Sequence, residues 1–298
     1  MANAVDVSPT RLRAAVLAAG FLFPMDRLRR PDDPSWPKAA CWFVPWGLLI
    51  GLVYLFIFRV TWRWFGEYQG IRWLPAVAVL AIDLGFCGHR LLAGIARLQH
   101  PAKSGAVCGP AGMTLGVLLA VLLVLVAKYA MFLSLPVGNV VKATPSINWY
   151  LPGQVRWFCP DMVIYRPLLL MPIWGRWAIG LAMLIGRVST SQPGWLGRMT
   201  MGLSLPRVLA QWLVVTVVTM VYCATVISGE SVFIPSGRSL AYGLMISIAV
   251  MVIAYWASFL MARRGDGQTE PSILLTGLVA ELAFLALYLH LANLIYWF

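Results

Sequence analysis

Charge is scarce in this chain, and negative charge most of all. Of 298 residues, 11% are Asp, Glu, Lys or Arg, against about a quarter in an ordinary soluble domain. Only 11 residues are acidic, and only three are histidine. The five cysteines, Cys41, Cys87, Cys108, Cys159 and Cys223, form no C-x-x-C pair. Their spacing argues against a disulfide framework or a zinc site, and small buried hydrophobes are the role it suggests. The G-x-S-x-G, H-E-x-x-H, Walker A and EF-hand patterns are missing, and so is any internal repeat. The first dozen residues contain no long apolar core ahead of a cleavage site, so no removable signal peptide is expected.

What fills the sequence instead is apolar. Hydrophobic residues make up 60% of it, and the mean hydropathy is +0.79. A soluble core cannot absorb that excess, so the chain reads as all-α, a polytopic helical membrane protein. Seven candidate spans lie roughly at Ala40–Phe58, Ile71–Phe86, Met113–Leu135, Met162–Ile185, Val208–Ile227, Leu240–Met261 and Ile273–Trp297. The second is short enough to be a half-helix. Pro167 and Pro172 are expected to kink the fourth. Residues 8–23 form a run too short to cross a hydrocarbon core about 30 Å thick, and suit an interfacial or re-entrant helix. The chain is read as one integral membrane domain over 1–298, with 1–39 as a cytoplasmic or interfacial segment and 40–298 as the helical bundle.

The net charge of +12 would suggest nucleic acid in a soluble protein. Here it fits cytoplasmic loops and anionic lipid headgroups better, and no nucleic-acid partner is expected. Fourteen Lys and Arg residues fall in the N-terminal segment and alternate loops, against six in the others. That asymmetry puts the N-terminus in the cytoplasm and the chain in the inner membrane. Trp-rich span ends fit aromatic belts.

Ionised groups inside apolar runs cost roughly 2.5–3.5 kcal/mol each at a helix centre, so each calls for a reason. They are Asp83, Lys128, Arg166, Arg176, Glu281 and His290. Asp83 and Lys128 flank a stretch read as a basic loop with His89, Arg90, Arg97, His100 and Lys103. One acid and one base at membrane depth beside a positive loop suggest a site for an anionic substrate. Lys128 suits a phosphate or carboxylate partner, or a lysine snorkelling to the interface. Arg176, in P-I-W-G-R-W-A-I-G, suits bidentate phosphate recognition or a cation–π clamp between Trp174 and Trp177. Glu281 suits a divalent cation or an ion pair with Lys128 or Arg176. His290 is read as structural, and Asp161 as an N-cap. Asp266 and Glu270, in G-D-G-Q-T-E-P, have the oxygen ligands for Mg²⁺, although a turn would look the same.

Four stretches in order resemble the adenosylcobinamide-GDP ribazoletransferase, or cobalamin (5′-phosphate) synthase, family. They are A-A-C-W-F-V-P-W-G-L-L-I-G-L-V-Y, the lysine-bearing V-L-V-A-K-Y-A-M-F-L, L-L-L-M-P-I-W-G-R-W-A-I-G-L, and R-R-G-D-G-Q-T-E-P-S-I-L-L-T-G-L-V-A-E-L. The resemblance spans most of the chain. It implies transfer of a corrinoid phosphoryl group from its GDP linkage to α-ribazole or its 5′-phosphate, with release of GMP and use of Mg²⁺. It further implies catalytic roles for Asp83, Lys128 and Glu281, substrate binding by Arg90, Arg176 and His89, and metal ligation by Asp83, Glu270 and Glu281. The family's D-G-L-A-D-T-x-D-G run keeps only Asp83; Ala76 and Leu80 stand at the other aspartates. Pro271 and Leu278 replace two more expected acids. Those losses open a second reading: a catalytically degenerate member acting as a membrane scaffold or complex subunit, with a second copy or other membrane proteins as partners. A transporter is a third reading, weakened by the absence of an inverted repeat.

Overall fold

The computed structural model describes residues 11–23, 25–67, 71, 73–99, 115–135, 164–190, 192–224, 237–264 and 267–294. Ten α-helices are described: α1 (Arg11–Leu22), α2 (Trp36–Ala39), α3 (Phe43–Thr61), α4 (Trp73–Gln99), α5 (Leu115–Ser134), α6 (Tyr165–Leu184), α7 (Gly194–Met201), α8 (Leu205–Ala224), α9 (Gly237–Arg264) and α10 (Glu270–Leu294). A π-helical turn, Trp62–Glu67, continues α3. No strand is found among the described residues, where the sole β-type pairing is an isolated bridge between Val188 and Gln268.

Among the described residues, six helical stretches are long and apolar enough to cross a membrane: Trp36–Gly66, Leu115–Ser134, Tyr165–Leu184, Leu205–Tyr222, Leu240–Arg264 and Glu270–Leu291. The chain is therefore a multi-pass helical membrane protein. The second expected span, Ile71–Phe86, corresponds to α4, whose apolar part, Trp73–Phe86, is short. The helix itself does not stop there. The segment expected to be a basic loop continues α4 for 13 residues beyond Phe86, through His89, Arg90 and Arg97 to Gln99. Leu, Ala, Arg and Gln are good helix formers, and no proline intervenes before Pro101, so polarity ends the apolar run without ending the helix. His100, Lys103 and Asp161 lie outside the described residues.

One helix organises the rest. Every residue of α6 from Tyr165 to Met183 is buried, and α3, α8, α9 and α10 pack around it. A helix buried on all sides, mostly apolar with two arginines inside it, lies at the centre of a bundle. Close approach is achieved by small residues. Gly47 and Gly51 lie four apart on α3; a Cβ on Gly47 would fall 2.8 Å from the Pro172 carbonyl oxygen, and one on Gly51 would fall 2.6 Å from that of Leu169. This is the small-xxx-small device by which membrane helices bring their backbones together. Gly277 does the same for α10, where a Cβ would lie 2.9 Å from the Gly175 carbonyl oxygen. Trp174 and Trp177 hold α6 to α8: their indole N–H groups donate to Thr219 Oγ1 (3.0 Å) and to the Val208 carbonyl (3.1 Å). Pro167 falls in the first turn of α6, where its missing N–H is harmless, and Pro172 lies in the interior.

The end of the bundle where α3, α8 and α10 begin and α6 and α9 finish is strongly basic. Arg11, Arg27, Arg30, Lys38, Arg187, Arg207, Arg263 and Arg264 are all exposed there. Gly267, at φ +114°, turns the chain from α9 towards α10 in a conformation that disfavours a side chain. Gln268 is then fully buried, donating to Ser258 and accepting from Ser272.

Candidate functional site

Four of the lone ionised groups meet at one place inside the bundle. Lys128 Nζ, on α5, donates to Asp83 Oδ2 of α4 at 2.7 Å and to Glu281 Oε2 of α10 at 2.8 Å. Arg176 Nη1, on α6, donates to Glu281 Oε1 at 2.5 Å. Tyr54, on α3, donates its hydroxyl to Asp83 Oδ1 at 2.5 Å. All five side chains are buried. Five helices thus each contribute one polar group, and two anions are matched by two cations.

The local sequence explains how each arrives. On α3, Gly47, Ile50, Gly51, Tyr54 and Phe58 form the buried stripe of a single helical face, which carries Tyr54 inward with the glycines. On α6, Arg176 follows Gly175, and a Cβ at Gly175 would come within 2.5 Å of Glu281 Oε1. The glycine leaves the room into which the glutamate reaches. Glu281 in turn follows Gly277 by one turn of α10, where the helices are closest. Arg176 forms an ion pair with Glu281, while the indole N–H groups of Trp174 and Trp177 on either side of it reach to α8. For Lys128, the alternative of snorkelling to the interface gives way to burial among carboxylates.

The remaining expected site residues do not join this cluster. Glu270 precedes Glu281 by eleven residues on the same helix, about 16 Å along its axis. Its carboxylate is held at the basic end by Arg29, whose Nη2 and Nη1 donate at 2.8 and 3.2 Å. The expectation that Glu270 shares a metal with Asp83 and Glu281 therefore fails on distance. Arg90 lies seven residues past Asp83 on α4, about 10 Å along the axis, with His89 beside it; the side chains of both are outside the described set. Asp266, the other suggested Mg²⁺ ligand, is also outside it. Arg166 is buried near the start of α6.

The cluster as placed does not suit Mg²⁺. That ion needs near-octahedral oxygen ligands at 2.0–2.1 Å. Here each of the four carboxylate oxygens of Asp83 and Glu281 already accepts a hydrogen bond, and the Lys128 ammonium occupies the position between them that a cation would take. Among the described residues no group of three His, Cys, Asp or Glu side chains is arranged to hold a metal. What the arrangement provides is electrostatic neutrality at membrane depth. Each charge would be costly there alone, and each is matched by a partner on another helix.

Two features escaped the sequence. Tyr54 is one, although it is the sole phenol in the apolar stretch of α3, four residues on from the Gly47/Ile50/Gly51 face. The other is the clasp at the basic end. Arg29 donates to the Gly20 carbonyl (2.8 Å), grips Glu270, and lies over the Trp195 ring at 5.5 Å. Nearby, Arg13 pairs with Asp33, which also accepts from the Ser35 backbone N–H at 2.9 Å. Burial works to raise the Asp33 pKa, but Ser35 and the Arg13 guanidinium outweigh it and hold the carboxyl below its ordinary 3.8.

Scanned against protein-family models, curated proteins and solved structures, the chain matches none.

Proposed function

We propose that this chain is a membrane protein built on the plan of the cobalamin synthase family, in which the acidic apparatus for metal-assisted phosphoryl transfer has given way to an internally neutralised ion-pair core. On this reading it serves as a non-enzymatic scaffold or complex subunit of the inner membrane, with its N-terminus and basic end in the cytoplasm against anionic lipid. The observation that carries the reading is the position of Lys128, bridging two carboxylates whose four oxygens are all engaged. Phosphoryl transfer needs charge that is free to neutralise the transferring group. In this core the positive charge is spent on the protein's own acids.

The test is turnover by the purified protein in lipid nanodiscs. Adenosylcobinamide-GDP, α-ribazole or its 5′-phosphate, and Mg²⁺ are supplied, and GMP release is measured. The expected result is no release above that of empty nanodiscs, with stable co-purification of membrane partner chains from the native membrane. Steady GMP release that disappears in a folded Asp83→Asn variant overturns the proposal.

That second outcome would support the transferase reading, which one observation favours: Asp83, Lys128, Arg176 and Glu281, spread over about 200 residues of sequence, converge on one point, as the parts of an active site would. In this reading Lys128 and Arg176 exchange their carboxylates for substrate phosphate oxygens, with Arg90 and His89 towards the cytoplasmic side. A hydroxyl of the ribazole attacks the corrinoid-linked phosphorus, the bond to the GMP phosphate breaks, and the proton passes to a carboxylate. Deleting the chromosomal copy and scoring cobalamin made from cobinamide is the matching test in cells; unaltered synthesis with no second copy rejects it.

A further inference from the structure

Not every arginine of the basic end is paired. Arg13, Arg29 and Arg198 each have an acid within reach, and Arg207 donates to the Gly202 carbonyl. Arg187, Arg263 and Arg264 are exposed and pair with no carboxylate among the described residues. The backbone brings these three together. The Gln268 N–H donates to the Arg187 carbonyl at 2.7 Å, and the Gln268 carbonyl accepts from the Ser189 N–H at 2.9 Å. Gly186 packs against Ala262, where an added Cβ would stand 3.1 Å from the Ala262 Cβ. Arg187 is thereby pinned beside the last turn of α9, which carries Arg263 and Arg264. Residues 186–192 and 259–269 hold a single acid, Asp266, against the three arginines, so the patch is net positive.

The patch continues into the membrane. Met245, Ile248, Val252, Trp256, Phe259 and Arg263 follow one another on α9 at spacings of three or four, and all are exposed or half-buried. From Met245 to Arg263 the helix rises about 27 Å, close to the thickness of a hydrocarbon core. Near its basic end the rings of Tyr255, Trp256 and Phe259 touch one another, with centroids 5.8 to 6.4 Å apart. Arg263 Cζ lies 5.3 Å from the centroid of the Phe259 ring, which is one turn deeper. An arginine at the end of a span ordinarily extends towards water. This one is folded back over an aromatic ring, which holds its guanidinium towards the hydrocarbon boundary.

We propose that this corner of the bundle binds one anionic phospholipid. The phosphodiester lies on the Arg263 guanidinium, with Arg187 and Arg264 beside it, and an acyl chain runs down the α9 stripe across Trp256. A guanidinium suits the role because its planar fork can donate to two phosphate oxygens at once. An acidic protein surface would satisfy the arginines but leave the apolar stripe that continues from them unused. The proposal rests on the reading that the basic end meets anionic lipid, and narrows it from a diffuse attraction to a single place.

Native mass spectrometry of the full chain, released from mixed detergent–lipid micelles, counts bound lipids one at a time and gives the affinity of the first. Phosphatidylglycerol should bind about tenfold more tightly than phosphatidylcholine. Arg263→Gln and Arg187→Gln should each remove most of that preference. Arg27→Gln, at an exposed arginine outside the patch, should change it by less than about twofold. Arg263→Lys keeps the charge but not the planar group over Phe259, and should weaken phosphatidylglycerol binding about threefold. All three positions are exposed, and a thermal melt verifies that each variant is folded. If the unaltered protein shows no preference for phosphatidylglycerol, both the site and the lipid reading of the basic end are wrong. If Arg27→Gln lowers the preference as much as Arg263→Gln, or Arg263→Lys leaves it intact, the attraction is diffuse; the site is then rejected while the lipid reading stands. If a polyglutamate peptide binds the protein in phosphatidylcholine nanodiscs and Arg263→Gln abolishes that binding but not the phosphatidylglycerol preference, the patch serves an acidic protein and the proposal falls.

Discussion

Arg176 and Glu281 meet in the middle of the bundle, whereas Arg29 and Glu270 meet at its basic end, with 14% and 20% of their side chains accessible. Both pairs join α10 to a segment distant in sequence, and both involve an arginine close to a tryptophan. Their surroundings differ, and the surroundings set what each can do. In the core a broken pair leaves a charge in hydrocarbon, so the cluster behaves as a single unit and fixes five helices in one register. At the end a broken pair leaves two groups nearer to water, so the contact costs less to break. Chemistry alone would rank the two pairs as equals.

The largest effect expected from this contrast is at Lys128. Lys128→Met leaves two buried carboxylates facing one arginine, and should cost about 3–5 kcal/mol or prevent accumulation of folded protein. Thermal unfolding in detergent measures it; a loss under about 1 kcal/mol, the scale of an exposed pair, would mean that the core is solvated and the contrast false. Tyr54→Phe removes only the hydroxyl at Asp83 Oδ1 and should cost about 1–3 kcal/mol, the range for a buried acceptor deprived of its donor. Arg29→Gln should cost less than Lys128→Met, about 1–2 kcal/mol in the same assay, and raising the salt should remove part of that difference. A cost for Arg29→Gln matching that of Lys128→Met would make the two regions equivalent. The smallest effect is acid loosening of the contact between α1 and the Asp33 segment. Asp33 is held below 3.8 in the fold, so the opened segment binds a proton more readily than the closed one. Its contribution is complete above about pH 5 and fades as pH falls through 3.8 and lower. Limited proteolysis of the α1 region should therefore rise at acid pH, and Asp33→Asn should be cleaved at the same rate at every pH.

The core was legible because lone charges stand out in apolar runs. Asp83, Lys128, Arg176 and Glu281 were each marked by their setting, and the membrane cost of a charge implied that they would find partners. The pairing of Glu281 with Lys128 or Arg176 was one of two readings the sequence left open; that it takes both, and that Lys128 also reaches Asp83, was not legible, because it depends on the Gly47/Gly51 and Gly175/Gly277 contacts that set the distances between helices. Tyr54 stayed hidden since a tyrosine in an apolar helix signals nothing by itself. Glu270 was misplaced because a family pattern treated two acids of one helix as one site, while eleven residues of helical rise keep them apart. The continuation of α4 was missed because hydropathy falls after Phe86 while helix propensity does not.

The shared core also has a consequence for biogenesis. As the nascent chain leaves the ribosome, Lys128 follows its acidic partner by 45 residues, and the two can enter the bilayer as a compensated helical pair. Arg176, on the helix that will become the centre, must wait another 105 residues for Glu281. Synthesis of α10 thus completes the neutralisation of α6, so a chain stalled or cut before α10 leaves a buried arginine of the central helix without its carboxylate partner.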